Sequence, residues 1–387
     1  MKRTFILLLA LVIATIGTVS AQENDDLEAL QQAAMETYAD IVLASYEDSL
    51  TLAIELHDAI DAFLADPSED TLQAARDAWR ASNEPYGQTE AYRFYGGPID
   101  GEDGPEGLLN AWPLDEAYID YVEGDADAGI ISNTDEYPVI DADLLVSLNE
   151  VGAEENISTG YHAIEFLLWG QDLSADGSGN RPYTDYTTAD NAERRGDYLA
   201  AVADLLVSDL EGLIEAWAVD MDDNYRATFL ASDADEAFTN ILTGIGVLAT
   251  AELAGERMFV AYDNQDQEDE HSCFSDNTHR DVITNFMGLD NVYRGSYTRI
   301  DGEVVEGTGI ADVIAVVNPD LNDDILATLD ELATLTDDIF VPFDQAIVLP
   351  DERPTVLDTV FALQDLGDLF AQVGSELGLT INTALPE

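Results

Sequence analysis

Apolar residues recur at helical spacing through almost the whole chain. Leu52, Leu56, Ile60 and Phe63 form one stripe, closed by Asp66-Pro67. Ser68 follows as a helix cap, with Glu69 and Asp70 in the first turn where the helix dipole favours acids. Val202, Leu206, Leu210, Leu213 and Trp217 make a second stripe, and Phe238, Ile241, Ile245 and Leu248 a third. Val356, Val360, Leu363, Leu366, Phe370, Val373 and Leu377 make a fourth. Core packing accounts for all of them. The pattern predicts long helices at about 25–65, 69–95, 189–220, 233–262, 320–339 and 354–378, and shorter ones near 114–123, 141–149 and 158–170. Only Tyr297–Ile300 and Glu303–Glu306 read as strands, joined through Asp301-Gly302 as a two-residue hairpin turn. The expected class is all-α, two helical-bundle domains packed together, with a minor β-hairpin near residues 297–306.

Two Gly- and Asp-rich stretches, Gly96 to Gly107 and Ser174 to Asn180, interrupt the helical pattern. Neither has the spacing of an EF-hand calcium loop, and turn chemistry explains both. The second is the expected boundary, dividing the chain into an N-terminal helical domain at 22–185 and a C-terminal one at 186–387.

The start of the chain predicts export. Lys2 and Arg3 precede an apolar run from Phe5 to Ile16, and small residues lead to Ala21, the pattern of a secretory signal peptide at 1–21. The run is shorter than the roughly 20 residues that span a bilayer. The expected location is a bacterial periplasm or cell surface.

Charge narrows the partners. Cutting after Ala21 removes Lys2 and Arg3 and moves the formal charge from −66 to −68. Lys2 is the only lysine, leaving twelve arginines against 80 acids. Such a surface suits concentrated salt, where self-repulsion is screened within about 3 Å at molar strength. Nucleic acid and anionic membranes are poor partners for it. Cys273, the one cysteine, can form no internal disulfide.

The strongest local signal is Gly160-Tyr-His-Ala-Ile-Glu-Phe-Leu-Leu-Trp-Gly170, which sets His162 and Glu165 on one face of an apolar helix. Buried polar groups need partners, and a shared cation is one solution. A second block, Trp79 to Asp100, has Pro85 inside a helical pattern and pairs Glu90 with Arg93, with Arg76 and Arg80 close by. A third run, Glu256 to Asp281, holds His271, His279 and Cys273 among carboxylates. It reads equally as a solvated acidic loop or as a source of oxygen and imidazole ligands. His57 stands alone on the exposed side of an early helix and is expected to be inert.

Together these three segments resemble the imelysin-like proteins, in the iron-regulated protein A branch. Gly160-Tyr-His-Ala-Ile-Glu165 is similar to that family's G-x-H-x-x-E signature, and the resemblance spans essentially the whole mature chain. It implies an exported all-helical protein of two related bundles, linked to iron uptake, with its site at the domain interface. It also implies a possible peptidase activity. The residues argue against a zincin, because Ala163 and Phe166 stand where His-Glu-x-x-His needs its glutamate and second histidine. The expectation is therefore metal binding without catalysis, iron first and zinc second, with His162, Glu165 and Glu90 as ligands. Gly160, Arg80, Tyr86, Gln88, Arg93, Asp100, Asp172, Glu268, Asp269, His271, Ser275 and His279 are the expected lining, Arg93 orienting a carboxylate or chelating anion. A zinc metallopeptidase or a non-metal ligand-binding surface protein are the alternatives. A metal ion or chelate, and other iron-uptake components of the envelope, are the expected partners.

Overall fold

The structure, a computed structural model, describes residues 26–175, 177–219 and 221–385; the expected signal peptide lies outside them. The chain is all-α. A first helix, α1 (Lys2–Ala65, described from residue 26 onward), is followed by α2 (Glu69–Thr89), four short helices α3 (Glu106–Leu109), α4 (Glu116–Ile119), α5 (Gly129–Ser132) and α6 (Ala142–Leu148), then α7 (Gly160–Trp169) and α8 (Ala192–Trp217). Next come α9 (Tyr225–Ala231), α10 (Ala234–Val247), a π-helical stretch at Leu248–Phe259, α11 (Val260–Asn264) and α12 (Thr278–Arg294). Strands β1 (Ser296–Thr298) and β2 (Val304–Glu306) precede α13 (Ile310–Val317), α14 (Pro319–Asp337), α15 (Phe343–Val348) and α16 (Arg353–Glu376).

The expected cap holds: the Ser68 side chain accepts from Thr71 N–H, and Thr71 returns the bond to Ser68 N–H. The expected helix over 69–95 stops early. After Thr89 a 3₁₀ turn covers Glu90–Tyr92, Arg93 is extended, and Phe94 is left-handed at φ 73°. Asp100 holds this bend, accepting from Phe94 N–H and from Gly97 N–H at 2.9 Å. The expected helix at 114–123 shrinks to Glu116–Ile119. The hairpin differs by one residue. Ser296 pairs with Glu306 and Thr298 with Val304, and Arg299 N–H bonds Glu303 O at 2.8 Å. The loop is therefore Ile300-Asp301-Gly302, with Gly302 left-handed at φ 88°, a three-residue connection. Asp48 on α1 anchors it by accepting from Tyr297 Oη at 2.9 Å and Ile300 N–H at 3.0 Å.

The four stripes face one connected core. Helix α1 packs on α2, α8, α10 and α13; α7 lies between α2 and α8; α16 covers α10, the π stretch and α14. The contact that positions the site is α2 against α12. It is close because Gly288 presents no side chain to Gln88 O, which a Cβ would meet at 2.3 Å.

Candidate functional site

Every residue of α7 is buried. Its entry needs glycine, because Gly160 has φ 85° and a Cβ there would lie 2.5 Å from Leu109 O. One turn in, His162 Nδ1 lies 3.0 Å from Glu165 Oε2, both side chains sealed from solvent. The other Glu165 oxygen accepts from Ser275 N–H at 2.9 Å and Ser275 Oγ at 2.6 Å. His162 Nε2 faces His271 Nε2 at 3.3 Å, with the two rings edge to face. His271 Nδ1 in turn lies 2.9 Å from Asp281 Oδ2, whose other oxygen accepts from Asn83 Nδ2 at 2.9 Å.

The hydrogen-bond pattern assigns the tautomers. With Glu165 and Asp281 ionised, each carboxylate only accepts and so draws the proton of its imidazole to Nδ1. Both Nε2 atoms then present lone pairs to each other across 3.3 Å, which is repulsive unless a cation or an added proton stands between them. Burial pushes the His271 imidazole well down, helped by Arg257, and so favours its neutral, lone-pair-bearing form. Burial also raises the Glu165 and Asp281 carboxyls, against His162 for Glu165 and against Ser272 and His162 for Asp281.

Two imidazoles, each steadied by a carboxylate on the far nitrogen, are the usual outer arrangement of a histidine metal site. For nitrogen ligands at about 2.0–2.1 Å in tetrahedral array the nitrogens stand roughly 3.4 Å apart, close to the separation here. The fit is to a pair of donors only. Among the described residues no three His, Cys, Asp or Glu side chains are grouped so as to hold a metal ion.

Two expected ligands have other work. Glu165 meets His162 Nδ1 with one oxygen, and its other oxygen is held by Ser275. Glu90 is fully buried and bonded by Arg93 Nη1 at 2.5 Å, Arg257 Nη2 at 2.6 Å and Asn110 Nδ2 at 3.3 Å. Burial would raise its carboxyl, but Arg93 and Arg257 outweigh that and bring it to about 2. It is a structural anion in an arginine clamp.

Of the expected lining, Ser275 and His271 meet the α7 pair directly, and Arg80 reaches Ser275 O at 2.8 Å while lying over the Trp169 ring. Tyr86 packs its ring on Tyr161, and its buried hydroxyl has no hydrogen-bond partner among the described residues. Arg93 and Glu106 border a cavity of about 320 Å³ that also has Trp112 and Arg257 in its walls; His162 and Glu165 are not part of its lining. Others point elsewhere. Gln88 bonds Asn291, Asp100 holds its bend, Asp269 accepts from Asn264, and Asp172 accepts from Ser174 N–H and Gln267. Glu268 is exposed, and His279 sits half-buried on the first turn of α12. His57 is not alone, because its Nε2 meets Asp204 on α8 at 2.8 Å. Sequence reasoning did not single out Asp281, Asn83, Arg257 or Trp112, because each reaches the site from a different element and no spacing signals it.

The chain belongs to the imelysin family, whose model, carrying a peptidase label, matches residues 42–370. It is 28% identical over 271 residues to iron-regulated protein A of Synechococcus elongatus, covering 68% of this chain and 63% of that protein. The matched part therefore falls short of two-thirds of that relative's length. Among solved structures, an iron-regulated protein A precursor from Parabacteroides distasonis superposes with TM-score 0.70 at 20% identity, covering 90% of this chain and 95% of that one. An imelysin-like protein from Psychrobacter arcticum gives 0.63 at 14% identity, covering 92% and 98%. Both likenesses establish the all-α fold.

Proposed function

We propose that this chain is an exported iron-handling protein that takes a metal cation, iron in the first place, between Nε2 of His162 and Nε2 of His271. One observation carries the reading: two buried imidazoles bring their Nε2 atoms within 3.3 Å of each other, each with its far nitrogen on a carboxylate. His162 and His271 would hold such a cation through Nε2, and it would supply a Lewis-acid centre there. Glu165 and Asp281 are positioning residues that fix the rings, and Ser275 and Asn83 fix the carboxylates. The names of the relatives, which speak of iron regulation and of a precursor, support the iron assignment and export to a periplasm or cell surface. On this reading His162 comes from a unit at 22–185 and His271 from one at 186–387, so the site straddles their junction, and envelope components of iron uptake would receive the metal.

Peptide hydrolysis is the weaker reading, since a hydrolytic centre also needs a general base. The two carboxylates nearest the histidines each accept bonds on both oxygens and lie on the Nδ1 sides of the rings, away from the facing Nε2 atoms. Metal content of protein purified from high salt, compared with His162→Ala and His271→Ala, tests the proposal. About one equivalent should be retained by the parent and lost in both variants. Equal metal in all three would overturn it, as would a directly observed N–H···N bond between the two imidazoles in metal-replete protein.

A further inference from the structure

The 320 Å³ cavity meets the histidine pair through one residue, Trp112. Trp112 lines it from one side and packs its indole 5.7 Å from the His271 ring, held by a bond from Nε1 to Glu270 O at 3.1 Å. Arg257 lines it from another side and bonds Glu90 behind. The outer rim is acidic: Glu150, Glu154 and Glu256 are exposed there. Glu106 and Glu252, further in, are engaged by Arg93 and Arg257 at 2.7 and 2.8 Å.

One face of this cavity is built by an uncommon element. Twelve residues, Leu248–Phe259, wind as a π-helix, a form that otherwise occurs mostly as single turns and often at functional sites. Arg257 Nε bonds Glu252 Oε1 at 2.9 Å although they are five residues apart. In an α-helix such positions point about 140° apart. The wider winding puts Glu252, Glu256 and Arg257 on the same face, toward the cavity.

We propose that this cavity is the vestibule through which a hydrated divalent cation reaches the His162–His271 pair, with half-buried Trp112 as the door between them. The inference rests on the function proposed above and names the species taken: a free cation, not an anionic chelate. Three rim carboxylates repel an anion, and the inner arginines already have carboxylate partners. A cleft lined by one sign of charge focuses the field and raises association rates by about 10- to 1,000-fold, less as salt rises. Trp112 closes the path without touching a ligand atom, so it governs how fast a cation passes in either direction.

Stopped-flow tryptophan quenching with Fe²⁺ under anaerobic conditions tests this. The full chain is used at the lowest salt that leaves its circular dichroism unchanged, with His271→Ala as the control for cations held by surface carboxylates. In Glu150→Gln/Glu154→Gln/Glu256→Gln the association rate should fall about tenfold while the dissociation rate changes less than twofold. Trp112→Ala, read by an intrinsic metal absorption or by rapid dialysis, should speed association and dissociation by similar factors and leave Kd unchanged. If that variant misfolds, Trp112→Phe, which keeps a ring but loses the bond to Glu270, should show the same effect in smaller measure. Ferric citrate should associate more slowly than Fe²⁺ with the parent. A parent that binds no Fe²⁺, or that binds it equally after His271→Ala, overturns the function proposal itself. A parent that binds Fe²⁺ with rates indifferent to the rim or to Trp112, or that takes ferric citrate faster, overturns the vestibule alone.

Discussion

Glu165 and Glu90 are both sealed carboxylates, yet they differ in what each can do, and the difference lies in their partners. Glu165 faces an imidazole and the N–H and hydroxyl of Ser275, so it can orient a ring. Replacing it with Gln keeps a partner for Nδ1 but removes the charge. Metal affinity, read by competition with a chromophoric chelator, should fall about 10- to 100-fold, the scale of losses beyond the ligands themselves; Asp281→Asn should behave alike. Glu90 faces two guanidinium groups. Glu90→Gln should leave metal affinity nearly unchanged but cost about 3 kcal/mol in denaturant unfolding, because two buried arginines lose the carboxylate they share and keep only Glu106 and Glu252. The pH dependence has a definite sign. The Glu90 carboxyl titrates at about 2 when folded and at about 4.3 when unfolded. The folded value is the lower, so the stabilisation is complete above the unfolded value and is lost as pH falls from about 4 toward 2. The gap in denaturation midpoint between parent and Glu90→Gln should close over that window and stay constant above it.

At the scale of elements, what was legible depended on whether a helix buries apolar or polar side chains. The expected ranges 189–220, 320–339 and 354–378 became Ala192–Trp217, Pro319–Asp337 and Arg353–Glu376, because each carries a continuous apolar stripe. Helix α12 went unread. Its buried face includes Thr278, Asp281, Thr284, Asn285 and Gly288, which look like a solvated segment until Asp281 is seen on His271 and Asn285 on Arg257. The glycine of the G-x-H-x-x-E motif carries no chemistry, yet Gly160→Ala should cost about 1–3 kcal/mol or more for the left-handed backbone, apart from the clash with Leu109 O. A calorimetric Tm lowered by less than a degree would contradict that.

The segment from Gln267 to Asn277 and its neighbour Asp172 carry their own pH response. Burial, with nearby acids adding to it, raises Asp172 to about 6 and Asp276 to about 7. Folded values above the unfolded ones mean that their contribution is complete below about pH 4 and is lost as pH rises through 6 to 7. Amide exchange in this segment should therefore be faster at pH 8 than at pH 5.5 after correction for intrinsic rates. Added divalent cations should slow it. Equal corrected rates at the two pH values would mean that these acids are solvated well enough to ionise freely.

At the scale of the whole molecule, the scarce cations are spent inside. Arg76, Arg181, Arg195, Arg226 and Arg257 are buried, and Arg93 nearly so. Arg181 and Arg195 converge on buried Asp120, as Arg93 and Arg257 do on Glu90. Buried pairs are screened little by salt, whereas surface charges are screened strongly. With a formal charge of −66 over the full chain and much of its arginine committed to the interior, the surface is left strongly acidic. Moving from molar salt to about 0.01 M lengthens the screening distance from about 3 Å to about 30 Å, so acids on neighbouring helices begin to repel one another. The expected outcome is loss of helicity or an increased hydrodynamic radius at low salt. The acidic outer faces should loosen before the arginine clamps around Asp120 and Glu90, whose amides should stay protected longest. Neutralising about ten exposed acids on α14 and α16 with Asn and Gln should lower the salt needed for full helicity, because it acts on the surface term alone. If the parent keeps its full circular dichroism and Tm in dilute buffer, the acidic surface is tolerated by the fold and salt is no condition of its stability.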